Sequence, residues 1–345
     1  MSNTQILFVK RPSGAFDVNE TFKIIKSPIP KENDLKNGQI LVKIYYLSLD
    51  PAMRGWMNET KSYIPPIAIN DVMRGHTIGE VIISKNPKFK IHDKVSGLLG
   101  WQEYAVSNGK GVEKIDFLPG TSLIDYISTL GYTGLTAYFG LLDSKPKPGD
   151  TVVISGAAGA VGSIAGQIAK IKETRVIGIA GSKEKCDWLL NELGFDVALN
   201  YKDPDFDKKF KQTVTPKYID IYFDNVGGKI LELSIGKLAL KGRIVLSGGI
   251  SQYNEKEAKG PFNYLNLIPT RAKMEGFIVM DYHTRFREAR KDLSKWLQEG
   301  KIKKNEHIIN GLENAPESLV KLFQGVNVGK LVIKVNEEGN FESKL

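Results

Sequence analysis

A single cysteine, Cys186, stands in 345 residues, so no disulfide can form within the chain and a reducing compartment is the expectation. Histidine is almost as scarce. His76, His92, His283 and His307 lie far apart in sequence, and a catalytic zinc needs Cys, His and carboxylate ligands gathered as a set, so no metal site is expected. Apolar runs of the roughly 20 residues that span a bilayer are missing, and the start, MSNTQILFVKRPSG, has no stretch of signal-peptide length. A cytoplasmic protein with no membrane partner is expected. Basic runs interleaved with aromatics are missing as well, despite a net charge of +9 and a pI near 9.2. Lys301, Lys303 and Lys304, for example, are set against Glu299 and Glu306. Such scatter argues against a nucleic-acid partner and suits a protein whose small-molecule ligand is anionic.

What is present reads as two domains, since the length is about twice that of an ordinary one. In the first third, β-like runs at 39–48, 81–84 and 94–99 alternate with turns, and helical periodicity is scarce. From about Tyr126 the pattern changes. After the turn-forming KPKPGD (145–150), a strand at 151–155, a helix at 161–171 and a strand at 175–180 make a βαβ unit. The alternation continues through helix 183–193, strands 197–200 and 219–224, helix 229–238 and strand 242–246, which implies a doubly wound parallel sheet. Helices at 284–299 and 315–325 and a strand at 330–334 follow. The expected fold class is α/β.

Between the first strand and helix of the βαβ unit lies GAAGAVG. In it Ala157, Gly159 and Gly162 occupy the three small positions of the dinucleotide fingerprint, alanine replacing the first glycine. A variant fingerprint alone is a weak signal. Its place after an apolar strand, opening a helix whose N–H groups and dipole favour a pyrophosphate, makes dinucleotide binding the expectation. Ala160 and Val161 belong to the same turn. About 20 residues further on, NAD-binding chains place an acid against the adenosine ribose. Here stand Ile179, Ala180, Gly181 and Ser182, followed by Lys183 and Lys185. With no carboxylate to repel a 2′-phosphate and lysines to attract one, NADPH is the expected cofactor.

Across almost its whole length the chain resembles the leukotriene B4 dehydrogenase, prostaglandin reductase and plant alkenal double-bond reductase group of the medium-chain dehydrogenase/reductase superfamily. The likeness is carried by AAGAVGS, YLSLDPAMRGWM (46–57), GYTGLTAYFGL (131–141), DNVGG (224–228), GGISQYN (248–254) and NVGKLV (327–332). The resemblance implies a zinc-free enzyme of two domains whose cleft holds cofactor and substrate. A GroES-like β-rich catalytic domain would comprise residues 1–127 and 305–345, and a Rossmann domain 128–304. A homodimer is implied too. By matching motifs, Lys185 and Tyr201 would hold the 2′-phosphate, while Asn225, Ser247, Gly248, Gly249, Ile250 and Asn327 would lie along the cofactor. Tyr46, Met53 and Tyr253 would face the substrate, with Tyr253 near its carbonyl.

The implied reaction is reduction of the carbon–carbon double bond of α,β-unsaturated aldehydes or ketones. Hydride must reach the β-carbon, leaving an enolate whose oxygen needs a hydrogen-bond donor. Tyr253 or a cofactor ribose hydroxyl supplies it, and Tyr253 or water protonates the α-carbon. The chain departs from the plant reductases at Ala52, where they commonly carry tyrosine, so a phenol is missing from the substrate side and the pocket is expected to be wider. One extra residue after GSKEK, relative to mammalian members, bears on the role of Tyr201.

Zinc alcohol dehydrogenases share the two-domain plan, and RGHTIGE around His76 is similar to their GHE segment, but the cysteine they supply upstream is missing. His76 is therefore expected to be a hydrogen-bonded structural residue. No tyrosine is followed by lysine four positions on, which excludes the short-chain dehydrogenase mechanism. Two other readings stand beside the first. A zinc-free quinone reductase of the same fold would be told apart by quinone turnover, and a cofactor-binding protein like the lens crystallins of this superfamily by NADPH affinity without turnover.

Overall fold

The computed structural model describes residues 2–215 and 217–338; residues 339–345, the end of the segment assigned to the catalytic domain, lie outside the described residues. The strands β1 (Ser2–Phe8) and β2 (Phe22–Pro28) form an antiparallel pair around the short helix α1 (Val18–Thr21). Next come β3 (Ile40–Ser48), α2 (Ala52–Trp56), β4 (Thr77–Ser84), β5 (Lys94–Gly97), β6 (Tyr104–Ser107) and β7 (Val112–Lys114). Helix α3 (Tyr132–Asp143) leads into β8 (Thr151–Ser155), α4 (Ala160–Ile171), β9 (Arg175–Ala180), α5 (Lys183–Asn191), β10 (Val197–Asn200), α6 (Phe206–Val214), β11 (Ile219–Asp224), α7 (Gly228–Ile235) and β12 (Leu238–Leu246). Then follow α8 (Leu267–Thr270), β13 (Lys273–Gly276), α9 (Phe286–Gln298), β14 (Glu306–Asn310), α10 (Ala315–Phe323) and β15 (Lys330–Lys334).

Strands β8 to β13 make one parallel sheet in the order β10-β9-β8-β11-β12-β13. This is the doubly wound order of a dinucleotide-binding sheet, and it reverses between β8 and β11. Burial accounts for the unbroken apolar run in β8, whose five residues are all buried because both faces of the sheet are covered. Helix α4 lies close over β8 because residue 162 is glycine. A Cβ there would stand 2.4 Å from the Gly156 carbonyl oxygen and 2.8 Å from Ala157 Cα, which no side-chain carbon tolerates.

The other large sheet is β-rich and mostly antiparallel, in the order β14-β15-β3-β4-β5-β7, with β6 also on β3. Strand β15 reaches β3 through Val332↔Ser48, Ile333↔Leu47 and Lys334↔Tyr46, so residues beyond 300 share a sheet with residues before 115. The fold is thus α/β, a β-rich part joined to a Rossmann part.

Several elements depart from the sequence reading. The helix expected over 229–238 ends at Ile235 and the strand expected at 242 starts at Leu238, because Leu238 already pairs with Ile219 in the parallel ladder. Helix α3 escapes periodicity because Gly134, Leu135, Ala137, Tyr138, Phe139, Gly140 and Leu141 are all buried, leaving no polar stripe. Strand β13 escapes it for the opposite reason: KMEG is exposed throughout, at the edge of the sheet.

Candidate cofactor and substrate cleft

The carboxyl ends of β8 and β11, where the sheet reverses, carry Ser155 and Asp224; open α/β sheets bind ligands outside such a point. Asp224 has no exposed surface. Its Oδ1 accepts from Ser155 Oγ and the Tyr222 hydroxyl, each at 2.8 Å, and from the N–H groups of Val226 and Gly227 at 2.9 Å. Its carbonyl accepts from Ser247 N at 2.9 Å and Gly248 N at 3.0 Å. Asn225 is fastened to Ser155 twice, N–H to Oγ at 2.9 Å and Nδ2 to carbonyl at 2.8 Å, and accepts from Ile250 N at 3.2 Å. Asn225 and the 247–250 segment are thereby brought to one rim.

Beside that rim lies the fingerprint turn. Ala157 is buried, and its N–H donates to the Ile179 carbonyl at 3.0 Å. Gly159 is the N-cap of α4 and has no side chain to occupy the first-turn N–H groups, near which Ala160 and Val161 are half-buried. A small, uncapped helix start of this kind fits a pyrophosphate. Gly159 also forms a parallel bridge with Gly329, whose N–H donates to the Ala158 carbonyl at 2.9 Å. Asn327 is buried two residues earlier, its Nδ2 donating to the Gly329 carbonyl at 2.8 Å.

At the end of β9, a Cβ on Gly181 would stand 2.9 Å from the Tyr201 ring, so glycine is what lets that ring close over the strand end. Ser182 caps α5, its Oγ accepting from Lys185 N at 3.3 Å. Tyr201 is exposed. Lys185 Nζ donates to the Gly325 carbonyl at 2.6 Å, and burial together with the Lys202 ammonium pushes its pKa down. Lys202, which the sequence reading missed, could have been found from its place directly after Tyr201. Lys183 is instead paired with Asp187 at 2.6 Å.

On the substrate side, the Tyr253 oxygen accepts from Gly249 N at 3.0 Å. Burial raises its pKa; the Gly249 bond offsets part of the rise, and Tyr63 and Asp224 add to it. Tyr63 was not foreseen, because nothing in the loop NETKSYIPP marks it. Its oxygen accepts from Trp56 Nε1 at 2.9 Å, and burial, with Asp50 adding, raises its pKa. The buried Arg54 guanidinium donates to the Gly14 carbonyl at 2.8 Å and to Asn58 Oδ1 at 2.6 Å. A Cβ on Gly14 would stand 3.4 Å from the Asn254 carbonyl, in the loop that carries Tyr253.

The other two expected substrate residues are placed differently. Met53 has no exposed surface and packs in a core with Leu49, Leu319 and Leu331, so it cannot touch a ligand unless that core opens. Tyr46 lies in the other main core, and its hydroxyl donates to Glu338 at 2.6 Å.

A metal does not fit the donors present. His76 is buried, with Nε2 against Ser96 Oγ at 2.8 Å and its ring edge-on to Tyr132 at 4.5 Å, and burial pushes its pKa down to about 4. Cys186 lies in α5, where burial pushes its thiol up to about 11. Among the described residues, no three His, Cys, Asp or Glu side chains gather as a ligand set.

Two family models match the chain, one described as the N-terminal domain of oxidoreductase over residues 4–115 and one as zinc-binding dehydrogenase over 160–297. A putative NADP-dependent oxidoreductase of Bacillus subtilis (strain 168) is 47% identical, over 97% of this chain and 98% of its own. The NADPH-dependent curcumin reductase of Escherichia coli (strain K12) is 39% identical, over 96% and 97%. The crystal structure of CurA from Vibrio vulnificus in complex with NADPH matches with a TM-score of 0.90 at 41% identity, over 97% of this chain and all of that one, 100%. The chain belongs to the medium-chain dehydrogenase/reductase superfamily, within the zinc-free group of NADP-dependent oxidoreductases that includes the prostaglandin, alkenal and curcumin reductases.

Proposed function

We propose that the protein reduces the carbon–carbon double bond of α,β-unsaturated aldehydes and ketones with NADPH. Tyr253 carries the reading. Its oxygen is held by the Gly249 N–H, its raised pKa keeps it protonated at neutral pH, and no acceptor for its proton is found among the described residues. Such a phenol is a donor awaiting an oxygen.

In this reading Ala157, Gly159, Ala160, Val161 and Gly162 cradle the pyrophosphate. Gly181, Ser182, Lys185 and Tyr201, joined by Lys202, take the adenosine end with its 2′-phosphate. Asn225, the 247–250 segment and Asn327 line the remainder. When bound, the cofactor supplies the hydride for the β-carbon. Tyr253 donates to the carbonyl oxygen as negative charge grows there. Tyr253 or water then delivers the proton to the α-carbon. His76 is committed to Ser96, so the one histidine resembling the zinc enzymes' GHE segment is not poised as a base for alcohol oxidation.

The reading includes the division into 1–127 with 305–345 and 128–304, a cytoplasmic location, and a homodimer. Among the described residues β13 pairs on one side only, and Phe262, Leu265 and Ile268 are exposed, so a second copy is offered both backbone groups and apolar surface. A size-exclusion mass equal to one chain would contradict the dimer. The function is tested by NADPH oxidation with a 2-alkenal and, separately, a quinone. Turnover with the alkenal is expected; rapid quinone turnover without alkenal reduction transfers the assignment to quinone reductase, and binding without turnover to a cofactor-binding protein.

A further inference from the structure

Lys330 is a charge for which the reaction just described has no use. It opens β15 yet is only 4% exposed, and its ammonium spends its protons inside the protein. Nζ donates to the Leu49 carbonyl at 2.8 Å, to Asp50 Oδ1 at 3.1 Å and to the Leu331 carbonyl at 3.1 Å. Burial pushes its pKa down while Asp50 opposes the shift. The other Asp50 oxygen accepts from the Ser48 hydroxyl. Burial works against the Asp50 carboxylate, but Lys330, Ser48 and His76 together hold its pKa below the usual range. A buried ion pair is costly to assemble and costlier to break on one side, so its placement calls for a reason.

Three parts of the cleft meet at this pair. Ser48, Leu49 and Asp50 form the turn from β3 into α2, after which comes the loop carrying Tyr63. Gly329, the neighbour of Lys330, gives its N–H to the fingerprint turn at Ala158. Asp50 acts on the Tyr63 phenol, and Tyr63 in turn on Tyr253.

We propose that Lys330 is a positioning residue for the reaction: its buried ammonium fixes the Asp50 turn against the strand that supports the fingerprint, and cancels the Asp50 charge that acts on Tyr63. This rests on the reduction proposed above. Enolate formation places negative charge in the cleft, and an uncancelled carboxylate nearby opposes it. The groups facing Asp50 are Lys330 from β15, Ser48 from β3, His76 ahead of β4 and Tyr63 from the loop after α2. Of these, only Lys330 is a cation at neutral pH, since His76 is neutral above about 4.

The test compares wild type, Lys330→Met and the double variant Lys330→Met/Asp50→Asn, reading kcat against pH and the NADPH dissociation constant by fluorescence. In Lys330→Met the carboxylate loses its cation and its pKa rises. Its kcat is expected to fall about tenfold above neutral pH and to recover as acid protonates Asp50, with cofactor affinity changed less than about threefold. The double variant removes both charges and is expected to return to within about threefold of wild type with no such pH response. It also carries the test if the single variant does not fold. Wild-type kcat and pH profile in folded Lys330→Met, or a loss that neither acid nor Asp50→Asn repairs, would overturn the proposal. A wild type that binds NADPH yet leaves alkenals unreduced would overturn the reduction itself.

Discussion

Ser155 donates its hydroxyl proton to Asp224 at 2.8 Å, joining the two strands between which the parallel sheet reverses. Oδ1 of Asp224 takes four donors, while its buried Oδ2 has no partner among the described residues. One oxygen therefore pins the ends of β8 and β11 and the turn that follows. Asn225 and the 247–250 segment stand on that rim, and the carboxylate that organises them lies wholly beneath the surface.

Replacing Ser155 by alanine removes the donor to Asp224 and the acceptor for Asn225 N. A fully buried N–H left unpaired costs about 1–3 kcal/mol and a half-buried one less, so urea unfolding of Ser155→Ala is expected at a lower midpoint with an unchanged slope. NADPH affinity should fall with it, because, of its two bonds to Ser155, Asn225 keeps only the one from its side chain. An unchanged midpoint would show that the bond contributes nothing.

Burial and the Lys202 ammonium lower the Lys185 pKa, and a phosphate dianion at Lys185 would relieve that repulsion. Lys185→Ala is expected to raise the NADPH dissociation constant about tenfold or more, the worth of a charged hydrogen bond. NADH affinity should stay nearly the same. Equal losses for both cofactors, measured by titration, would remove Lys185 from the 2′-phosphate.

Tyr253→Phe keeps the ring and deletes the hydroxyl. Loss of one donor to a developing oxyanion is expected to cut kcat on the order of 10- to 100-fold, less than a full oxyanion donor where a ribose hydroxyl compensates. NADPH affinity should be nearly unaffected. Unchanged turnover would pass the role to the ribose and water.

His76 sets an acid limit on stability. Its pKa falls from 6.5 to about 4 on folding, chiefly through burial, so between those values the unfolded chain binds more protons. Stability therefore drops as pH falls through that window, and rises with pH across it. His76→Gln, which can still meet Ser96, is expected to flatten this part of the curve measured by urea unfolding. A slope equal to that of wild type would contradict the assignment.

The strands at 151–155, 175–180, 197–200, 219–224 and 330–334 were legible with their observed bounds because each is a short apolar run closed by glycine or a turn. The fingerprint was legible because glycine is demanded by contact, as at Gly162. Tyr63 was not, since its place near Tyr253 depends on two distant segments meeting. Met53 shows the limit of a motif: DPAMRG identifies the residue, but the orientation of α2 decides that it packs inward. Lys330 belongs with these, as a lysine in an apolar strand start reads as exposed until its three acceptors are seen.

The most direct measurement places the hydride. Wild-type protein is given a 2-alkenal and NADPH carrying deuterium at the transferable position of the nicotinamide, and the product is read by NMR. Deuterium on the β-carbon of a saturated aldehyde is the expected result. Deuterium on the former carbonyl carbon of an allylic alcohol would contradict double-bond reduction while leaving the fold and the cofactor cleft in place.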